Sequence, residues 1–243
     1  MLYQAAKFVA EPLVKVFYRP RVEGLANIPS DGAAILASNH LSFSDSFFIP
    51  VAVPRPVTFI AKAEYFNQGG LKGLWNKAFY GGFAGAVPVD RSGSRNATTA
   101  ALDGAIGVLE RGGLFGIYPE GTRSPDGRLY RGRTGIAEIA LRTGAPIIPI
   151  GIIGTDHIQP PGKKMPRLGR VTIRIGTPLD LTEAKSLGKP ALIRRAITDE
   201  VIEQIQKLSG QEYRHAYASD VKEAQEAREA AAKEAKEASD KAA

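Results

Sequence analysis

The 243-residue sequence predicts an α/β fold in which helices flank a mixed, largely buried sheet. Two patterns predict this class. Short apolar runs alternate along the chain with segments of helical periodicity, which is the order expected of a sheet covered by helices. Most of these runs are apolar throughout, which is typical of strands buried on both faces. The length fits one such domain with a tail.

The predicted buried strands share short apolar runs with little polar alternation. They are Ala33–Ser38, Val57–Ala61, Ala84–Val89, Leu114–Tyr118 and Ile147–Ile153. One further run, Arg170–Ile175, alternates strictly between polar and apolar residues and predicts a half-exposed strand.

Helical periodicity occupies the segments between these strands. The predicted helices are 44–53, 64–79, 95–111, 133–143 and 190–208. Gly112, Gly113 and Gly144 stand where helices commonly end, because glycine readily adopts the left-handed conformation of a C-cap.

The two ends of the chain differ from this body. In residues 1–18 the polar side chains fall on one stripe about 80° wide of a helix. The broad apolar remainder lies either in a bilayer surface or against the protein's own core. Residues 220–243 hold seven acidic and five basic residues, with Val221 as the one sizeable apolar side chain. We therefore predict an amphipathic, membrane-facing helix (1–18), a domain (19–219) and a solvated helical or disordered tail (220–243).

Composition excludes several kinds of site. With no cysteine, the chain has no disulfide, thiolate metal ligand or cysteine nucleophile. Three histidines make a multi-histidine metal centre an unfavourable prediction. The net charge of +7 favours a partner with phosphate groups, whether nucleic acid, an anionic membrane or a phosphorylated substrate. No apolar run approaches the ~20 residues of a membrane-spanning helix, and we expect no secretory signal.

The first informative motif is the segment Asn39-His40-Leu41-Ser42-Phe43-Ser44-Asp45, directly after a predicted strand. If His40 lies in the turn and Asp45 in the first turn of the next helix, the carboxylate can reach back to the imidazole. Asp45 would then fix the tautomer of His40 and leave its other ring nitrogen free as a general base. Taken alone, the pattern also suits an ordinary hydrogen-bonded histidine and a capping aspartate.

Two further motifs stand at other strand ends. Val87-Pro88-Val89-Asp90-Arg91 ends one strand, and Tyr118-Pro119-Glu120-Gly121-Thr122-Arg123-Ser124 follows another. Arg91 and Arg123 at neighbouring strand ends would hold a phosphate or carboxylate between them. Gly121 allows close backbone approach, so its N–H could face a developing oxyanion.

Together these segments resemble the signatures of the glycerolipid acyltransferases, which include the lysophosphatidic acid acyltransferases. NHLSFSD (39–45), GAVPVDR (85–91), YPEGTRS (118–124) and APIIPIGI (145–152) match the four signatures in the family's order. The resemblance covers roughly residues 20–210. Pro88, Val89 and Tyr118 depart mildly from the family's usual residues.

The resemblance implies transfer of a fatty acyl group from acyl-CoA or acyl carrier protein to the hydroxyl of lysophosphatidic acid. His40 would be the base, oriented by Asp45, and Arg91 and Arg123 would hold the acceptor's phosphate. It further implies that Glu120 and Thr122 order the third signature beside Gly121, that Lys62 lies near the acceptor, and that no metal or other cofactor takes part.

Alternatives remain at this point. The same fold could acylate glycerol 3-phosphate, another lysophospholipid or a glycolipid. A thioesterase or hydrolase using Ser42 or Ser44 is less favoured, because no G-x-S-x-G segment is present. Nucleic-acid binding rests on the basic charge alone, and we expect none. A basic segment with Lys163, Lys164, Arg167 and Arg170 could bind lipid headgroups, the phosphates of coenzyme A, or nothing specific, and we favour contact with an anionic membrane. We expect the cytoplasmic face, where acyl thioesters are made.

Overall fold

The computed structural model describes residues 7, 11–12, 14–62, 87–89, 95–160 and 165–242. The strands are β1 (Arg21–Glu23), β2 (Ala34–Ser38), β3 (Val57–Lys62), β4 (Val87–Val89), β5 (Leu114–Ile117), β6 (Leu129–Tyr130), β7 (Ile147–Ile153), β8 (Thr172–Ile175) and β9 (Tyr213–Arg214). The helices are α1 (Asp45–Ala52), α2 (Arg95–Glu110), α3 (Gly135–Thr143), α4 (Thr155–Ile158), α5 (Thr182–Lys185), α6 (Pro190–Ser209) and α7 (Ala218–Ala242), with a 3₁₀ turn at Leu25–Asn27.

Seven of the strands form one mixed sheet in the order β1-β8-β7-β2-β5-β3-β4, which confirms the predicted fold class. Strands β7, β2, β5, β3 and β4 run parallel to one another. The antiparallel pairing of β7 with β8 reverses the direction at one side, and β1 then runs parallel to β8. The carboxyl ends of the five parallel strands therefore share one edge of the sheet, which we call the carboxyl edge.

Apolar layers cover both faces of this sheet because successive strand residues point to opposite sides. In β2, Ala34 and Leu36 join a cluster with α1, whereas Ile35 and Ala37 join a cluster with α2, α3 and α6. All five residues of β2 are buried, as the apolar run predicts. Strand β8 alternates between half-buried and buried residues, which confirms the half-exposed strand predicted from strict alternation.

The described N-terminal residues pack partly against the domain. Val14 is buried in the cluster that contains α1, and the ring of Tyr18 packs edge-on against Phe48 at 5.2 Å. Lys7, which belongs to the polar stripe, is also buried and donates a hydrogen bond to the carbonyl of Val53. Phe17 is more than half exposed. Contact with the core and exposure of apolar side chains thus coexist in this segment.

Other expectations fall at the limits of the described residues. The predicted helix 64–79 lies outside them. Helix α7 begins at Ala218, which is buried, and is exposed from Lys222 onward over the part whose side chains are described. No helix among the described residues is long and apolar enough to cross a membrane.

Candidate active site

The loops that follow β2 and β5 meet at the carboxyl edge because these strands are paired neighbours. Ala37 near the end of β2 pairs with Ile117 at the end of β5. The segments that continue past these residues carry the first and third sequence motifs. The backbone N–H of Ser124 donates to the carbonyl of His40 at 2.7 Å, which joins the two loops directly.

His40 and Asp45 are brought together by the turn between β2 and α1. Asp45 is the first residue of α1, and its Oδ2 lies 2.9 Å from Nδ1 of His40. The same oxygen accepts the backbone N–H groups of Leu41 (2.7 Å) and Ser42 (2.8 Å). Asp45 is completely buried, whereas 16% of the His40 side chain is exposed. Because Asp45 holds Nδ1, Nε2 is the ring nitrogen left to exchange a proton with a substrate.

Glu120 fixes the position of His40 through the backbone. Its Oε1 accepts the N–H of His40 at 3.0 Å, and its Oε2 accepts the N–H of Tyr130 at 2.9 Å. The side chain is 1% exposed, and this burial raises the pKa of Glu120 to about 8 against the pull of the two backbone donors. The buried carboxyl group therefore joins the third-motif turn to the loop that carries His40.

Gly121 occupies a turn that requires glycine. Its φ is +80°, and an added Cβ would meet Cδ of Arg133 at 3.1 Å. The N–H of Gly121 donates to the carbonyl of Tyr118 at 3.0 Å. In this geometry the turn itself uses the N–H that the sequence offers as an oxyanion donor. Thr122 is half-buried and Arg123 is exposed on the same turn.

An aromatic stack supports the imidazole of His40. The ring of Tyr118 lies parallel to it, with 3.8 Å between centroids and 9° between planes. Phe59 on β3 stacks next to Tyr118 at 5.5 Å, and the Tyr118 hydroxyl hydrogen-bonds with Ser46 Oγ at 3.0 Å. An added Cβ at Gly116 would lie 2.4 Å from the Phe59 ring, so the stack depends on that glycine. His40 is thus held at Nδ1, at its backbone and across its ring face.

A second support joins the His40 loop to β7 and to the segment after α6. The side chain of Asn39 is completely buried; its amide donates to the carbonyl of Ile152 (2.9 Å) and its oxygen accepts the N–H of Ile152 (2.8 Å). The same amide donates to Oε1 of Gln211 at 2.7 Å. Gln211 in turn donates to the carbonyl of Gly127 at 2.7 Å. These contacts continue the β2–β7 ladder past the end of β2 and tie together the three segments at the site.

The chain is similar to known proteins over the residues that carry these motifs. A family model described as Acyltransferase matches residues 19–153, a range that contains all four sequence motifs. The chain belongs to the acyltransferase family. This confirms the resemblance on which the sequence-based hypothesis depends.

Individual relatives of this acyltransferase carry more specific names. This chain is 32% identical over 184 residues to the chloroplast 1-acyl-sn-glycerol-3-phosphate acyltransferase LPAT1 of Arabidopsis thaliana. The match covers 75% of this chain and 49% of that protein. It is 28% identical over 193 residues to the 1-acyl-sn-glycerol-3-phosphate acyltransferase of Bacillus subtilis, covering 77% and 89%. The crystal structure of PlsC, the 1-acyl-sn-glycerophosphate acyltransferase of Thermotoga maritima, matches with a TM-score of 0.61, 28% identity and coverage of 84% and 82%. The chain spans about half the length of the chloroplast relatives it matches.

The structure does not describe the side chains of two predicted site residues, Arg91 and Lys62. Arg91 lies outside the described residues, so its pairing with Arg123 stays a prediction. The backbone of Lys62 ends β3 at the carboxyl edge, where Lys62 pairs with Val89 of β4. The described ranges contain no group of three or more histidine, aspartate or glutamate side chains arranged to hold a metal ion.

Proposed function

We propose that this acyltransferase moves a fatty acyl group from an acyl thioester to the free hydroxyl of lysophosphatidic acid and so forms phosphatidic acid. The contact between His40 Nδ1 and Asp45 Oδ2 carries the proposal, because it equips a strand-end histidine as a general base. The names of the relatives support lysophosphatidic acid as the acceptor.

In the proposed reaction, Nε2 of His40 takes the proton of the acceptor hydroxyl while the oxygen attacks the thioester carbonyl. The C–O bond forms, the C–S bond breaks, and the imidazolium returns its proton to the leaving thiolate. Asp45 stabilises the imidazolium between these two steps. A base of this kind supplies about 10²–10⁴-fold, so alignment of hydroxyl and thioester must supply much of the rest.

We propose Arg123 as one cation that holds the acceptor's phosphate. It is exposed and follows Glu120, which is bonded to His40. We propose that Arg91 and Lys62 complete the phosphate site, since β3 ends at Lys62 and β4 ends two residues before Arg91, at the same edge. The proposed transfer uses these side chains and the two substrates, without a metal or other cofactor. We place it at the cytoplasmic face of a membrane, where a lipid acceptor and a cytoplasmic thioester meet.

The surroundings of Ser42 favour direct transfer over a serine hydrolase. Ser42 is 1% exposed, and its Oγ donates to the carbonyl of Gln159 at 2.9 Å. The neighbouring Ser44 lies 3.0 Å from it, oxygen to oxygen. A buried hydroxyl held in this way is poorly placed to attack a thioester.

The proposal is tested by mixing the purified chain with palmitoyl-CoA and lysophosphatidic acid and measuring free thiol together with acylated lipid. We expect phosphatidic acid from the parent chain and at least about a hundredfold less from His40→Ala. His157→Ala is the matched control, since His157 is exposed and pairs with Asp156 on α4. Thiol release without lipid product would contradict acyl transfer to this acceptor. Product formed equally by His40→Ala would contradict the role of the base. A panel with acyl carrier protein and zwitterionic lysolipids then fixes the donor and the acceptor.

A further inference from the structure

Residues 165–170, which we call the edge loop, combine exposed apolar and basic side chains. Met165 is 80% exposed and Leu168 is 74% exposed, the highest values for large apolar residues in the described part of the chain. Arg167 and Arg170 are also exposed. The sequence contains no acidic residue between Asp156 and Asp180. The loop therefore presents two apolar side chains beside positive charges only.

The sheet topology places the edge loop at the same edge as the candidate active site. Thr172, the first residue of β8, pairs with Ile153, the last residue of β7. Because β8 runs antiparallel to β7, the residues just before β8 lie at the carboxyl edge.

The base of the edge loop is fixed by close packing. The N–H of Arg167 donates to the carbonyl of Ile158 at 2.8 Å. An added Cβ at Gly169 would lie only 2.9 Å from Cγ1 of Ile158, so the chain approaches α4 closely here. One residue beyond Ile158, the carbonyl of Gln159 accepts the hydroxyl of Ser42. The loop is therefore connected to the turn that carries His40.

The N-terminal segment brings a second apolar group to this edge. Arg21 of β1 pairs with Thr172 of β8, so the chain that precedes β1 also arrives at the carboxyl edge. Val16 is 67% exposed and Phe17 is 54% exposed there, while Val14 is buried in the same cluster as Ile158. Two segments far apart in sequence thus expose apolar side chains on the side of the molecule where the site opens.

We propose that the edge loop docks on an anionic lipid bilayer, with Met165 and Leu168 entering the headgroup and acyl boundary and Arg167 and Arg170 contacting lipid phosphates. Apolar side chains rimmed by cations are the combination that binds such a surface, because insertion and electrostatic attraction act together. Docking there turns the carboxyl edge toward the membrane. The inference deepens the proposed function, since it brings the site to a lipid acceptor, but docking is measured without any substrate.

The test is co-sedimentation of the full chain with vesicles of phosphatidylcholine and phosphatidylglycerol. Removing both apolar side chains, as Met165→Ser with Leu168→Ser, should weaken vesicle binding by at least about tenfold. Removing both charges, as Arg167→Ala with Arg170→Ala, should weaken it by about fivefold for each arginine at low salt and flatten its salt dependence.

The matched controls are Leu187→Ser with Leu192→Ser and Lys185→Ala with Lys189→Ala. These residues are exposed as well, but they follow β8 toward the opposite edge of the sheet, where Leu179 bonds to Ile147 at the start of β7. Both control pairs should bind vesicles as the parent chain does. Equal weakening by the controls, or parent-like binding by both edge-loop variants, would overturn the proposal. If the edge-loop variants bind vesicles as the parent chain does but use an acyl carrier protein donor less well, the proposal is also overturned. The loop would then contact an acidic protein.

His40→Ala separates this inference from the proposed function. It should bind vesicles normally while losing acyl transfer. If the parent chain shows no acyl transfer and yet needs the edge loop for vesicle binding, the proposed function fails and the docking surface stands.

Discussion

Replacing Asp45 by asparagine should remove the charge beside His40 while keeping its hydrogen-bonding geometry. The asparagine oxygen can occupy the position of Oδ2, which accepts hydrogen bonds from Nδ1 of His40 and from the backbone N–H groups of Leu41 and Ser42. The new amide nitrogen would then stand at Oδ1, a buried atom without a hydrogen-bond partner among the described residues. Burying that unpaired donor should lower the free energy of unfolding by about 1–3 kcal/mol.

The loss of activity should be larger than the loss of stability suggests. At the observed 2.9 Å, a carboxylate attracts an imidazolium by about 6 kcal/mol at an effective dielectric constant of about 20. The dipole of the asparagine oxygen retains part of this attraction, so we expect the barrier to rise by about 4 kcal/mol. That rise corresponds to about a thousandfold fall in kcat.

The assay is kcat and KM for acyl transfer, with urea unfolding of each variant to show that it is folded. KM for the acceptor should stay within about threefold, because the Asp45 side chain is completely buried. Asp126→Asn makes the same change on the other loop of the site, at a carboxylate bonded to Tyr130, and should leave kcat within about threefold. A folded Asp45→Asn enzyme with kcat within tenfold of the parent would refute the reasoning.

Three further changes probe the supports of His40. Because the pKa of Glu120 is raised from 4.5 to about 8, the folded state keeps a proton that the unfolded chain releases, and this group's stabilisation is lost as pH rises between those values. Because of this group, urea unfolding should show a free energy of unfolding about 3.5 kcal/mol lower at pH 8 than at about pH 5, and Glu120→Gln should not show this fall. A parent chain without the fall would contradict the assignment. Tyr118→Phe keeps the ring that stacks on His40 and should retain kcat. Tyr118→Leu removes that ring and should lower kcat about three- to tenfold. Equal kcat in both variants would exclude a role for the stack. Gln211→Met removes the hydrogen bond to Asn39 and should lower the free energy of unfolding, measured in urea, by about 1–3 kcal/mol. An unchanged urea midpoint would contradict this prediction.

Local sequence patterns predicted the features that depend on neighbours in the chain. The run Ile147–Ile153 is apolar throughout, and the strand has those same bounds. The five-residue spacing of His40 and Asp45 works because Asp45 begins α1 and can turn back toward the preceding loop. Gly144 ends α3 with φ +69°, as its position predicts.

Contacts between residues far apart in the chain cannot be predicted from local sequence patterns. Gln211 stands in no motif and meets Asn39 across 172 positions, so only the folded chain reveals it. Glu120 was recognised within a motif, but its two backbone donors could not be inferred from residue type. The N–H of Gly121 is a candidate oxyanion donor from sequence alone, because the residues do not show that the turn uses this donor.

The buried lysine is a similar case. Periodicity groups Lys7 with the other polar residues of its segment, as if all of them faced water. Its ammonium instead meets the carbonyl of Val53, and burial lowers its pKa. A single carbonyl at the end of α1 decides this, and no helical pattern carries information about it.

The bonds around Asn39 and His40 also bear on when the site can first become ordered during synthesis. His40 is bonded to Glu120 across 80 positions, and Asn39 to Ile152 across 113 and to Gln211 across 172. Contacts so distant in sequence form late, because the entropy of closing long loops must be overcome first. A nascent chain still lacking α6 therefore carries both His40 and Asp45 without the bond to Gln211 and without the α6 side chains that cover one face of the sheet. Catalytic competence should appear only after ribosomal release of the segment around Gln211.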